Sequence, residues 1–225
     1  MQQENNNIIT RLEEQFLKSN IFHECNKVFV SGTIEEDFEF SYRLYDQNFY
    51  KMRLRITRLS GTEDFITIIA SELLIGNKLA SNKGKMIEIA GQLKSYMNKG
   101  HKELFLHAKQ INICDNESEL KECKNSNAIY LEGYICEKPK ILGNEGQVTS
   151  FQIAVNVAFG KAEYIPCTAW GKEAKWIINR KIGEKISLYG RVQSRIFYKK
   201  ETDLMKIKPI EVYEVTVRTV DLAKN

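Results

Sequence analysis

The sequence predicts a mainly β protein of two tandem five-stranded barrels, each with one helix between strands 3 and 4, preceded by an N-terminal amphipathic helix. Three observations lead there. The chain repeats itself: Val28-Phe-Val-Ser-Gly32 answers to Ile129-Tyr-Leu-Glu-Gly133, Asp64-Phe-Ile-Thr-Ile-Ile-Ala70 to Glu163-Tyr-Ile-Pro-Cys-Thr-Ala169, and Lys83-Gly-Lys-Met-Ile-Glu-Ile-Ala-Gly91 to Ile182-Gly-Glu-Lys-Ile-Ser-Leu-Tyr-Gly190, at offsets of 101, 99 and 99 residues. A fixed offset marks a duplicated module. Within each copy the apolar residues recur mostly at every second position, the strand signature. The length of 225 residues suits two compact domains of about 100 residues each.

Taken in order, residues 1–25 stand outside the repeat. Ile8, Ile9, Leu12, Phe16 and Leu17 share one face at helical spacing, opposite Arg11, Glu13, Glu14 and Lys18, which makes an amphipathic helix of about three turns. Two roles stand open for it, packing onto the first barrel or binding a partner. The first module occupies 26–114, with strands at 27–34, 50–58, 64–71, 85–97 and 103–113. The stretch 115–126 is polar, charged and without periodicity, so it reads as a linker. The second module, 127–225, has strands at 129–135, 149–158, 163–170, 185–198 and 205–219. Its helix is placed at 172–180, where Ala174, Ile177 and Ile178 fall at turn spacing and Gly183 lies just beyond the end. Five strands with a helix between strands 3 and 4 is the order of an OB-fold barrel. Closing the sheet hides its edges.

Composition narrows the function classes. The net charge is +4, and it is uneven: residues 1–115 carry 15 Lys+Arg against 15 Asp+Glu, and residues 116–225 carry 18 against 14. All the excess positive charge sits in the second half, a modest footprint for nucleic acid. No run of about 18 apolar residues suggests a membrane span, and the first residues lack the pattern of a secretory signal. The five cysteines, Cys25, Cys114, Cys123, Cys136 and Cys167, are widely spaced with no C-x-x-C. They read as reduced thiols of a cytoplasmic protein, with neither a disulfide framework nor a metal site. No phosphate loop, histidine pair or cluster of carboxylates is present that would make an active site. The expectation is therefore a binding protein, not an enzyme, that uses no cofactor.

Strand parity points to the binding face, because alternate side chains share one side of a strand. From Gly190, one side carries Arg191, Gln193, Arg195 and Phe197 and the other Val192, Ser194 and Ile196. In strand 3 of the same module, Tyr164, Thr168 and Trp170 share a side while Ile165, Cys167 and Ala169 point inward. Cations in a row with aromatics make a poor core and a good surface for a nucleic-acid strand, aromatics stacking on bases and cations tracking phosphates. The competing reading makes Tyr164 and Trp170 ordinary, partly covered barrel aromatics. Trp176, inside the helix, reads as a core or barrel-plug residue.

These residues carry a resemblance. Ile129–Gly133, Phe151-Gln-Ile-Ala-Val-Asn156, the aromatic-led strand from Tyr164 through Trp170-Gly-Lys172, Lys181-Ile-Gly183 and Gly190-Arg-Val-Gln-Ser-Arg-Ile-Phe197 are similar, block by block over about 90 residues, to the bacterial single-stranded DNA-binding protein (SSB) family. The resemblance implies single-stranded DNA binding without sequence preference, in replication, recombination or repair. It places base-stacking aromatics at Phe159, Tyr164, Trp170 and Phe197, and phosphate-contacting cations at Lys172 and Arg195, with Arg191 in the same row. Module one resembles the family only in outline. At the 99-residue offset its stacking positions become Ser60, Phe65, Ser71 and Asn98, so Phe65, with Lys94 and Tyr96 from its fourth strand, are the weaker candidates. Arg53 and Arg55 either touch phosphates or solvate an outer face, and the module serves as a second DNA surface or as an assembly surface. By analogy with the family, a homodimer presenting four barrels is expected. The family's flexible linker and acidic recruiting tip are not seen at Val220-Asp-Leu-Ala-Lys-Asn225, so recruitment of repair proteins through such a tip is not expected. Two other functions stand beside this one: a protein scaffold or primosome accessory factor with weak nucleic-acid binding, and an RNA-binding barrel.

Overall fold

The computed structural model describes residues 25–76, 81–98, 101–114, 124–143, 147–157, 161–200 and 207–223, apart from the side chains of 97, 98, 101, 102, 197–200 and 207–210. The expected helix within 1–25 and most of the 115–126 linker lie outside the described residues, as does Phe159. Phe197 lies on a strand, but its side chain is outside the description.

The protein is mainly β. The strands are β1 Asn26–Leu44, β2 Gln47–Thr57, β3 Glu63–Ser71, β4 Met86–Asn98, β5 His101–Ile113, β6 Ser126–Ile135, β7 Lys140–Leu142, β8 Val148–Asn156, β9 Ala162–Trp170, β10 Lys185–Lys200 and β11 Ile207–Leu222. Two short helices follow β3 and β9: α1 Glu72–Ile75 and α2 Gly171–Ile177. In the C-terminal half, hydrogen-bonded ladders run β6–β10–β11–β9–β8 and return to β6, closing a five-stranded barrel, with β7 added at the edge of β8. In the N-terminal half the order is β2–β3–β5–β4–β1, and β1 also pairs with β2. One apolar core runs through both halves, including Val28, Leu54, Ile68 and Leu106 from one and Phe151, Ile153, Ile165 and Val215 from the other. Among the described residues no helix is long and apolar enough to cross a membrane.

Three features differ from the expectation. β1 runs ten residues beyond the predicted end at 34 and pairs with β2 through a two-residue turn at Tyr45 and Asp46, both with positive φ, the backbone that tight hairpins need. Phe38, Phe40, Tyr42 and Leu44 alternate with polar residues along this extension, so its period is that of a strand. The module-two helix ends at Ile177, short of 180, and the module-one helix is a single turn capped by Ser71 Oγ. Lastly, the halves share one sheet: β1 pairs antiparallel with β6, with Val28 opposite Ile129. Those two residues are also aligned by the repeat, so the ladder is its own approximate twofold.

The twofold extends to side chains. Asn26 Nδ2 donates to Leu93 O at 2.6 Å while Leu93 N donates to Asn26 Oδ1 at 2.9 Å. Asn127 makes the same pair with Val192, at 2.7 and 2.9 Å. A second set of bonds joins the halves. Ser95 N and Oγ both donate to Glu163 Oε2, at 2.9 and 2.7 Å. At the related place Ser194 N donates to Asp64 Oδ1 at 3.2 Å and Phe65 N donates to Ser194 Oγ at 2.9 Å. Thr67 and Tyr213 hydroxyls lie 3.2 Å apart, and Arg53 pairs with Glu211 at 2.9 Å across the same seam.

Candidate nucleic-acid interface

β8 and β9 alternate cleanly. Phe151, Ile153 and Val155 on one, and Ile165, Cys167 and Ala169 on the other, are buried in the core. The intervening side chains therefore face outward. On β9 these are Tyr164, Pro166, Thr168 and Trp170. Tyr164 is 43% exposed and Trp170 57%, at the two ends of this row, six residues and so about 20 Å apart along the strand. Trp170 ends the strand because Gly171 adopts φ +58° and turns the chain into α2, a conformation that suits glycine alone at low cost. Between the two aromatics, Thr168 is covered and donates to Glu214 Oε2 at 3.0 Å.

Glu214 in turn holds Arg195, 3.4 Å away. Register places Gln193 opposite Glu214 and Arg191 opposite Thr216, which itself lies beside Thr168. Arg191, Gln193 and Arg195 thus share the outward face with the β9 aromatics, two strands and about 10 Å from Thr168. The row starts at Gly190 for a steric reason. A Cβ there would stand 2.4 Å from Thr216 O, so only glycine lets β11 approach at this bend. Lys172 lies two residues past Trp170 with its ammonium in solvent, 3.6 Å from Glu173. The outward side of the sheet therefore carries Tyr164, Trp170, Arg191 and Arg195, with Lys172 at the start of α2 just beyond Trp170.

Trp176 is not wholly enclosed. It is half-buried against the core, with the Arg180 guanidinium over its ring at 4.4 Å.

Solved structures share this architecture. Wild-type single-stranded DNA-binding protein from Thermus aquaticus matches with a TM-score of 0.68 at 16% identity, over 90% of this chain and 94% of that one. A deletion mutant of the same Thermus aquaticus protein matches with a TM-score of 0.66 at 17% identity, over 90% and 96%. The chain has the SSB fold. The resemblance read from the residues therefore holds in three dimensions. The N-terminal domain of PriB from Thermoanaerobacter tencongensis is 30% identical over 40% of this chain and 98% of that one, with a TM-score of 0.36. No protein-family model and no curated protein matches the sequence.

Within the SSB fold, the same face of the N-terminal half is furnished differently. Phe49, Ile69 and Phe105 form a small buried cluster on the side of the sheet opposite Met52 and Leu54. Tyr42 stacks on Phe49 with centroids 4.9 Å apart, and Tyr96 meets Phe105 edge-on at 5.6 Å. Burial and the lysines Lys94 and Lys109 hold His107, beside Phe49, at a pKa of about 4. Phe65 is half-buried at the seam under the Arg53 guanidinium, 4.9 Å from the ring centre. Arg53 and Arg55 are committed to Glu211, Glu35 and Glu63. Lys94 is half-buried and Tyr96 is exposed with its hydroxyl on Glu103. Phe49, Tyr42 and Phe105 were not among the candidates, because only the equivalents of the second module's stacking positions, Ser60, Phe65, Ser71 and Asn98, and of its fourth strand were carried across the repeat, whereas these lie on β2, β1 and β5.

Proposed function

We propose that the chain binds single-stranded DNA without sequence preference, stacking bases on Tyr164 and Trp170 and holding phosphates with Lys172, Arg191 and Arg195. One observation carries this reading. Two exposed aromatics stand outward on β9, with a row of arginines on the same side of β10 two strands away, while the alternate β9 residues are all in the core. Solvent-facing aromatics with neighbouring cations are what a stacked, phosphate-bearing strand requires. Phe159 and Phe197 would extend the stacking surface. The likeness to the Thermus aquaticus protein supports the fold on which such a face is built. We read residues 26–114 and 127–225 as tandem OB-fold barrels, the first with a filled face and a secondary role, and the chain as a non-enzymatic factor of replication, recombination or repair.

The test is salt. If three to five phosphates are neutralised, log K for oligothymidylate should fall with log[salt] at a slope between about −2 and −3.5, since each contact on a single strand contributes roughly −0.7. Fluorescence titrations between low and moderate ionic strength measure it. Undetectable binding, or affinity indifferent to salt, overturns the reading and leaves a protein scaffold as the better account.

A further inference from the structure

The two ends of the seam between the halves are built alike and charged differently. At each end a strand-3 carboxylate accepts from the backbone N–H of a strand-4 serine: Glu163 from Ser95, and Asp64 from Ser194. At each end the last strand also skips one residue of register opposite the fourth: Lys109 at the shift between Ala90 and Gly91, and Arg218 at the shift between Tyr189 and Gly190. A bulge of this kind re-aims the side chain it carries. Arg58 binds Asp64, Arg191 lies close to both, and Arg218 lies beside Arg191 at the register shift of the last strand. The residues related to the three arginines by the repeat are Val157, Gln92 and Lys109. The Glu163 end holds together with a single cation at these positions, so the shared architecture does not demand three arginines.

Only one of the three is satisfied. Arg58 takes both oxygens of Asp64, through Nε to Oδ2 at 2.6 Å and Nη2 to Oδ1. Asp64 Oδ1 also accepts from Ser194 N, so that carboxylate is fully used. Arg191 is half-buried, and its Nε is enclosed with no hydrogen-bond partner. Arg218 is exposed. Among the described residues neither forms an ion pair. Burial first, and then the charges of Arg58 and Arg218, push the Arg191 guanidinium below its usual pKa despite Asp64. Three neighbouring guanidiniums with one carboxylate among them leave an excess of two positive charges, and a half-buried guanidinium without a counter-ion is costly. An anion with several acceptor oxygens relieves both, and the planar fork of arginine fits phosphate oxygens.

We propose that Arg191 and Arg218, backed by Arg58, hold a phosphodiester of the bound strand at this seam, where the strand passes from the C-terminal toward the N-terminal half. The proposal rests on the DNA-binding reading. A phosphodiester is favoured over free phosphate because Arg191 stands in the same outward row as Gln193 and Arg195, continuous with Trp170.

The test compares salt slopes for oligothymidylate in the full chain. R191Q and R218Q should each make the slope shallower by about 0.7, and the double variant by about 1.4, with affinity at low salt falling at least tenfold in the double. Arg218 is exposed, so R218Q keeps the fold and suffices if the double variant does not. A wild-type chain that binds steeply, with variants sharing its slope, overturns this site and takes Arg191 out of the phosphate contacts, while DNA binding through the remaining residues stands. A wild-type chain that ignores oligothymidylate overturns the DNA reading and this site together. Thermal melts with inorganic phosphate separate the sources. Stabilisation of the wild type that is lost in R191Q/R218Q, with coincident DNA slopes, overturns the phosphodiester in favour of free phosphate.

Discussion

Asp64→Ala is expected to destabilise the protein by about 3–5 kcal/mol, the range found when one member of a buried ion pair is removed. Asp64 is fully buried and binds the largely buried Arg58 through both oxygens. It also accepts the Ser194 N–H from the other half. Alanine strands the guanidinium in a poorly solvated pocket and leaves a strand-4 N–H without its partner, so charge and hydrogen-bond losses fall together. Glu163→Ala, at the related end of the seam, is the internal comparison. It removes two hydrogen bonds from Ser95 but strands no charge, so its cost should stay near 1–3 kcal/mol. Urea denaturation of both variants measures the difference. Equal losses would show that the Arg58 pair contributes nothing beyond the hydrogen bonds.

How much of this was legible in the sequence depended on which physical signal each feature uses. Alternation told inside from outside on β9 because a buried face cannot tolerate a slip of one residue, and Ile165, Cys167 and Ala169 are indeed buried. The same rule puts Ser194 on the side of Val192, but it does not say what that side meets. Past Val192 the strand meets the other half, so that side of it faces Asp64 and Phe65 instead of the barrel core. The pairing of β1 with β6 was out of reach, since alternation orients side chains but does not choose a strand's backbone partner. The extension of β1 was within reach: Phe38, Phe40, Tyr42 and Leu44 alternate, yet the acidic Glu35–Glu36–Asp37 start hid them. The Arg191–Arg195 row followed from parity, whereas Arg218 joins it through a register shift that only the paired strands reveal.

Trp170→Ala is expected to weaken oligothymidylate binding by about 1–3 kcal/mol, roughly 5- to 150-fold, the cost of removing one base-stacking aromatic. The fold should hardly notice. The indole is more than half exposed, lies outside the core cluster and makes no capping hydrogen bond to α2. The chain has two tryptophans, Trp170 and Trp176, and their surroundings give the experiment its own control. One face of Trp176 is already taken by the Arg180 guanidinium and the ring packs on the core, so no base can stack there without displacing protein. Oligothymidylate should therefore quench the wild type and Trp176→Ala through Trp170, and leave Trp170→Ala nearly unquenched. Trp176→Ala should lower stability instead, by less than the 3–5 kcal/mol of a fully buried aromatic, because its ring is only partly covered. Affinity that survives in Trp170→Ala would make the exposed β9 face structural, and the arginine row would then have to account for DNA binding without it.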